Sequence, residues 1–169
     1  MKKLFLSLIV IAATAFGASA RTSLAEAYKA LSGLAGMTEQ TNKMVDVGQG
    51  ATITNMKTSS VSVAANTVQD YRNHMIWELE NLPVRKMVVG ANNQRELASI
   101  YAEPIGGGKY NVLIVLGNAL GGQFSASYGQ TTQAGINALR NCNVSMDADG
   151  LTMTAPDSDP NAAFISMTD

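Results

Sequence analysis

Three kinds of hydrophobic spacing follow one another along this chain. Residues 4–16 are apolar almost without a break, residues 23–34 and 66–82 place apolar side chains every third or fourth position, and much of the remainder alternates apolar with polar residues. These are the signatures of an apolar leader or span, of amphipathic helices and of half-buried strands.

The first helix is expected over about 23–34. Ser23-Leu24-Ala25-Glu26 has the pattern of a capping box, Leu24, Ala27, Tyr28, Leu31 and Leu34 follow at helical spacing, and Gly33 and Gly36 stop the run. A second helix opens at Asn66, carries Val68, Tyr71, Met75, Leu79 and Leu82 on one stripe, and closes at Pro83. Thr131 or Thr132 caps a short third helix that carries Ile136 and Leu139.

Between these helices the period falls to two. Residues 37–65 are rich in Thr, Ser, Gly and Asn, and local alternation at 51–56 and 60–63 predicts two short strands there. Residues 84–90 form a β-branched apolar run. Residues 96–129 then read as an antiparallel meander, in which Ala98, Ile100 and Ala102 alternate with polar partners. A helix over 92–102 is the competing reading, because Gln94, Arg95, Glu96 and Leu97 favour one. Residues 110–116 are nearly all apolar and belong in the sheet centre, and Phe124, Ala126 and Tyr128 alternate on the next strand. A hairpin follows, with Val144 and Met146 on one side of Asp147-Ala148-Asp149-Gly150, and Leu151 and Met153 on the other.

The expected fold class is therefore α+β, a mainly antiparallel sheet of about five to seven strands packed against two or three helices. One domain over residues 21–155 and a loosely ordered C-terminal tail over 156–169, rich in Pro, Asp, Ser and Asn at its start, complete the organisation.

Lys2 and Lys3, the apolar stretch 4–16 and Ala18-Ser19-Ala20 make residues 1–20 an expected signal peptide. The stretch is too short to cross roughly 30 Å of hydrocarbon, and no transmembrane segment is expected in the mature chain. The only cysteine, Cys142, lies far from the cleavage point, so the expected product is exported to the periplasm or the exterior and is not a lipoprotein.

Removal of the leader shortens the chain from 169 to about 149 residues and alters its charge. Without Lys2 and Lys3 there remain ten basic residues against thirteen acidic ones, a net of about −3. No basic run exceeds Arg85-Lys86, which excludes the phosphate-neutralising surface of a nucleic-acid-binding protein. One cysteine cannot form a disulfide within the chain, so packing must carry the stability. Cys142 reads as a small buried hydrophobe.

Groups that carry chemistry are sparse. His74 and Glu78 stand one helical turn apart, but a zinc site needs three or four ligands and His74 is the only histidine. The same scarcity weakens a Ser-His-Asp reading. Ser145, Asp147, Asp149 and Gly150 resemble the opening of a calcium loop, yet Pro156 stands where the bidentate glutamate is required. The glycines at 106–108, 117, 121 and 122 match no phosphate-binding spacing and read as turns. No catalytic, cofactor-binding or metal-ligating residue is assigned.

Aromatic side chains supply the candidate binding residues. Tyr101, Tyr110 and Tyr128 lie on strands that can be neighbours, and Trp77 lies off the main stripe of the second helix. The leading functional expectation is an exported, non-enzymatic domain that binds a protein or glycan partner through a sheet face or edge, in the cell envelope or outside. The alternatives are a small secreted hydrolase working through carboxylates, with Glu78, Glu80, Glu96 and Glu103 available, and a structural envelope protein that self-associates through an unpaired strand.

Overall fold

The computed structural model describes residues 23–64, 67, 70–71, 79, 82, 84–92, 95–118, 122–147, 150–155 and 163–168. Residues 1–20, and with them the expected leader, lie outside the described residues, as do His74, Trp77, Glu78 and Glu80.

Helix α1 (Leu24–Ser32) begins at Ser23, whose hydroxyl accepts a hydrogen bond from the Glu26 backbone N–H at 3.3 Å and so satisfies one of the donors that a helix start leaves free. Strands β1 (Thr38–Asp46) and β2 (Thr52–Ser62) form a hairpin, and Thr67, Asp70, Tyr71 and Leu79 are helical in the segment that follows. Four strands then run as a meander: β3 (Arg85–Asn92), β4 (Arg95–Gly106), β5 (Lys109–Asn118) and β6 (Gln123–Thr132). Helix α2 (Gln133–Arg140) leads to a second meander of β7 (Asn143–Asp147), β8 (Gly150–Thr154) and β9 (Ala163–Thr168).

Every strand pairing among the described residues is antiparallel. The larger sheet has six strands in the order β1-β2-β6-β5-β4-β3, and the smaller has three in the order β7-β8-β9. The α+β class with a mainly antiparallel sheet holds. The nine strands in two sheets among the described residues exceed the expected number, because the polar segment at 38–46 and the C-terminal residues 163–168 both pair as strands. The second of these ladders ties down part of the expected loose tail.

The central strand explains the layering. Val112 to Leu116 of β5 are all almost fully buried, with alternate residues entering two different clusters. Leu113 and Val115 meet Leu24, Ala27, Tyr28 and Leu31 of α1 together with Phe124 and Ala126. Val112, Ile114 and Leu116 meet Ile136, Ala138 and Leu139 of α2 together with Met153 of β8. The large sheet is thus a middle layer. Helix α1, together with Tyr71, Leu79 and Leu82 of the segment after β2, covers one face, and α2 with the small sheet covers the other.

Residues 95–106 form a strand because they pair on both sides, with β3 and with β5, which overrides the helix-favouring residues near their start. The two short strands expected within 51–63 are one strand with an irregularity. The β2–β6 register shifts between Thr54 and Lys57, and Asn55 takes a positive φ of 52°. Ile53 and Met56, three residues apart, consequently enter the same cluster, which strict alternation forbids.

This irregularity presses β2 against β6 at Gly129. A Cβ there would stand 2.5 Å from Ile53 Cγ2, 3.1 Å from the Thr54 carbonyl oxygen and 3.3 Å from Met56 Cα. Gly129→Ala is expected to destabilise the fold by about 1–3 kcal/mol through overpacking, read as a lower thermal midpoint against the native protein. An unchanged midpoint would show that the strands separate freely at this point.

Candidate functional site

Helix α1 has nine residues, about 13 Å at 1.5 Å per residue, so it covers only part of its sheet face. Beneath it Tyr28 sits 4% exposed. Its hydroxyl donates to Glu39 Oε2 at 2.8 Å and lies 2.9 Å from Ser59 Oγ. With the single phenolic proton directed to Glu39, the Ser59 hydroxyl is the donor in the second bond. The Tyr28 ring stacks on Tyr128 at 5.6 Å between centroids and 25° between planes. Lys57 Nζ stands 3.9 Å from Glu39 Oε1 at the solvent edge of the group, where an ion pair adds little.

Burial first, and then the Glu39 carboxylate against the opposing Ser59 bond, push the Tyr28 hydroxyl up to about 12. Burial, followed by the Glu103 charge, raises Tyr128 as well. Both phenols are therefore neutral donors at ordinary pH and poor bases. This group locks α1 to β1 and β2.

Beyond the end of α1 the same face carries a row that runs straight across the sheet. Register places Met44 of β1 opposite Thr54 of β2, Thr54 opposite Gln130 of β6, Gln130 opposite Asn111 of β5, and Asn111 opposite Glu103 of β4. Side chains tie part of it together. Gln130 Nε2 donates to Asn111 Oδ1 at 3.2 Å, Asn111 Nδ2 donates to Glu103 Oε2 at 3.1 Å, and Thr54 Oγ1 donates to the Gln130 carbonyl at 3.3 Å. Four strand spacings of about 4.8 Å make the row about 19 Å long.

Two large hydrophobic side chains are exposed among the described residues, one at an end of this row and one in the irregularity beyond its other end, where the β4–β5 register shifts between Pro104 and Gly106. Met44, at its β1 end, is 68% exposed, and Ile105, two residues beyond Glu103, is 43% exposed. A polar floor between two apolar posts is suited to holding a ligand of mixed character, and it contains no acid–base pair arranged for bond cleavage. Glu103 is the one expected carboxylate whose side chain is described, and it is occupied by the Asn111 amide.

The tyrosines singled out by sequence do not form one row. Tyr101 is 3% exposed and belongs to the α1-side core. Tyr128 shares that face two strands away, with Leu113 between them in register. Tyr110 is on the opposite side, packed against the other cluster, and its hydroxyl donates to Gln133 Oε1 of α2 at 2.7 Å. The row from Met44 to Glu103 draws one residue from each of five strands. Its only sequence signal is the polar residues breaking the apolar alternation at 103, 111 and 130.

Compared with known protein families, with curated proteins and with solved structures, the chain finds no match in any of the three.

Cys142 is buried just past the end of α2, with its thiol donating to the Ala138 carbonyl at 3.7 Å. Burial pushes it up to about 12 from an ordinary value near 9, the opposite of an activated nucleophile. A thiol reagent at pH 8 is expected to label Cys142 only on unfolding, and rapid labelling of the native protein would refute the buried placement.

Tyr28 supplies the second prediction for this site. Its pKa is higher folded than unfolded, so its contribution is complete below pH 10 and is lost as pH rises from 10 through about 12. Tyr28→Phe is expected to cost about 1–3 kcal/mol at pH 7, because it leaves the buried Ser59 hydroxyl without its partner. Denaturant midpoints measured from pH 7 to 12 should converge between variant and native protein across that alkaline window.

Proposed function

We propose that this protein is an exported, non-enzymatic binding domain that takes a protein partner on the open end of the α1-side sheet face. The observation that carries the reading is the row Met44–Thr54–Gln130–Asn111–Glu103, with Met44 exposed at its β1 end and Ile105 exposed in the irregular segment beyond Glu103. Large apolar side chains held out in water at the borders of a hydrogen-bonding floor are the composition of an interface: apolar anchors supply the affinity, and the amides and carboxylate between them select the orientation. Export rests on the leader pattern at residues 1–20, and a mildly acidic surface without a basic cluster directs the reading away from nucleic acid.

A glycan is the second occupant this chemistry admits. A carboxylate, two carboxamides and a threonine hydroxyl are groups that meet sugar hydroxyls, and their repeat across strands is close to the length of one hexose ring. The apolar posts favour the protein.

The test is affinity capture from envelope and medium fractions with the tagged protein, run beside Met44→Asp and Ile105→Asp. Both positions are exposed, so thermal midpoints are expected to stay within about 0.5 kcal/mol of the native value. Each variant is expected to weaken capture of the same reproducible partner by about tenfold or more, the effect of losing an apolar anchor. No reproducible partner, or one retained fully by both variants, would overturn the protein reading. Saturable binding of neutral oligosaccharide, lost in Glu103→Gln, would replace it with the glycan.

A further inference from the structure

Among the described residues, strand β1 is bonded on one side only. Among the described residues it pairs with β2 alone and stands at the end of the sheet order, and eight of its nine residues are exposed. An edge of this kind offers a row of free backbone donors and acceptors. Its straight part ends near Lys43, which faces the positive-φ Asn55 where the β1–β2 ladder skips a pair.

We infer that β1 pairs with β1 of a second copy about a two-fold axis through Thr41, joining two six-stranded sheets into one of twelve. Antiparallel pairing about a two-fold normal to the sheet keeps each residue on its own face, so the axis must pass through a residue and not between two. Five registers centre on the straight segment. An axis on Glu39 or on Lys43 sets like charges directly opposite. An axis on Gln40 sets Glu39 against Thr41 and Lys43 against Met37, and one on Asn42 sets Glu39 against Val45 and Lys43 against Thr41. Only the axis on Thr41 sets Glu39 of each copy opposite Lys43 of the other, with Gln40 opposite Asn42 between them.

A lone edge lysine ordinarily guards a sheet against pairing. Here the glutamate four residues earlier turns that guard into a self-complementary code. Glu39 is held in place for it, because Tyr28 donates to one of its carboxylate oxygens and Lys57 stands beside the other. Two opposite-charge cross-strand pairs favour this register over its neighbours, while five paired residues bury far less than the roughly 1,200 Å² of a standard interface. The expected dimer is therefore weak, with a dissociation constant of about 10 μM to 1 mM.

Sedimentation equilibrium of the purified protein across that range tests the inference, with Lys43→Glu and Glu39→Lys measured singly and mixed. Each variant alone places like charges in both pairs and is expected to weaken association by about tenfold or more, whereas the equimolar mixture restores both pairs and associates as a heterodimer. Glu39→Lys also loses the Tyr28 bond. Should it fail to fold, Lys43→Glu and amide exchange in the native protein decide the matter, since protection at residues 39–43 should rise with concentration and not rise in Lys43→Glu. A monomer at about 1 mM, or a dimer that Lys43→Glu leaves unchanged, overturns the inference. The outcome is separable from partner capture on the sheet face, which the Met44 and Ile105 variants report.

Discussion

Burial of strand β5 on both faces is the constraint from which the architecture follows. Side chains from Val112 to Leu116 are all removed from water, and alternate ones point in opposite directions. A sheet with such a strand at its centre cannot leave either face to solvent. Helix α1 with Tyr71, Leu79 and Leu82 closes one side, and α2 with the small sheet closes the other. Away from β5 the demand relaxes. At the far edge β1 is polar and exposed on both faces, and it is kept in the sheet by its ladder to β2 and by Glu39 beneath Tyr28.

That relaxation produces the candidate surface. Helix α1 packs on the rows that hold Leu113, Val115, Phe124 and Ala126, whereas Met44 and Thr54 of the row from Met44 to Glu103 are exposed. The polar residues that occupy this row satisfy one another across strands, so Asn111 can be buried between the half-buried Gln130 and Glu103 without the penalty of an unpaired group. The irregularity at Asn55 has a related consequence. It turns Ile53 into the opposite core while Thr54 stays in the row, and it requires glycine at position 129 for the backbones to approach.

Where one physical effect dominated, the elements were legible in the chain. Helix α1 could be read from Ser23 and the apolar stripe of Leu24, Ala27, Tyr28 and Leu31, and β4 to β6 from strict alternation and the apolar run at 110–116. Strand β1 was not legible, because a strand polar on both faces has no periodic signal and exists through its partner. The expected break of 51–63 into two strands fell at the polar residues 57–59, where the alternation fades, although the backbone continues as one strand through them and the real irregularity lies at the left-handed Asn55. Tyr110 parted from Tyr101 and Tyr128 for a similar reason: sequence shows that each lies on a strand, and only register shows which face each one takes.

By itself, then, the sequence determined the class of the fold, the strand that must be central and the single cysteine's role as packing. These depend on local periodicity and on composition, which need no neighbour to be defined. Strand order, the row of residues drawn from five strands, and the unpaired β1 edge with Glu39 and Lys43 upon it were decided only in three dimensions. Each is a relation between residues far apart in the chain, set by which ladders form and by where helix α1 packs.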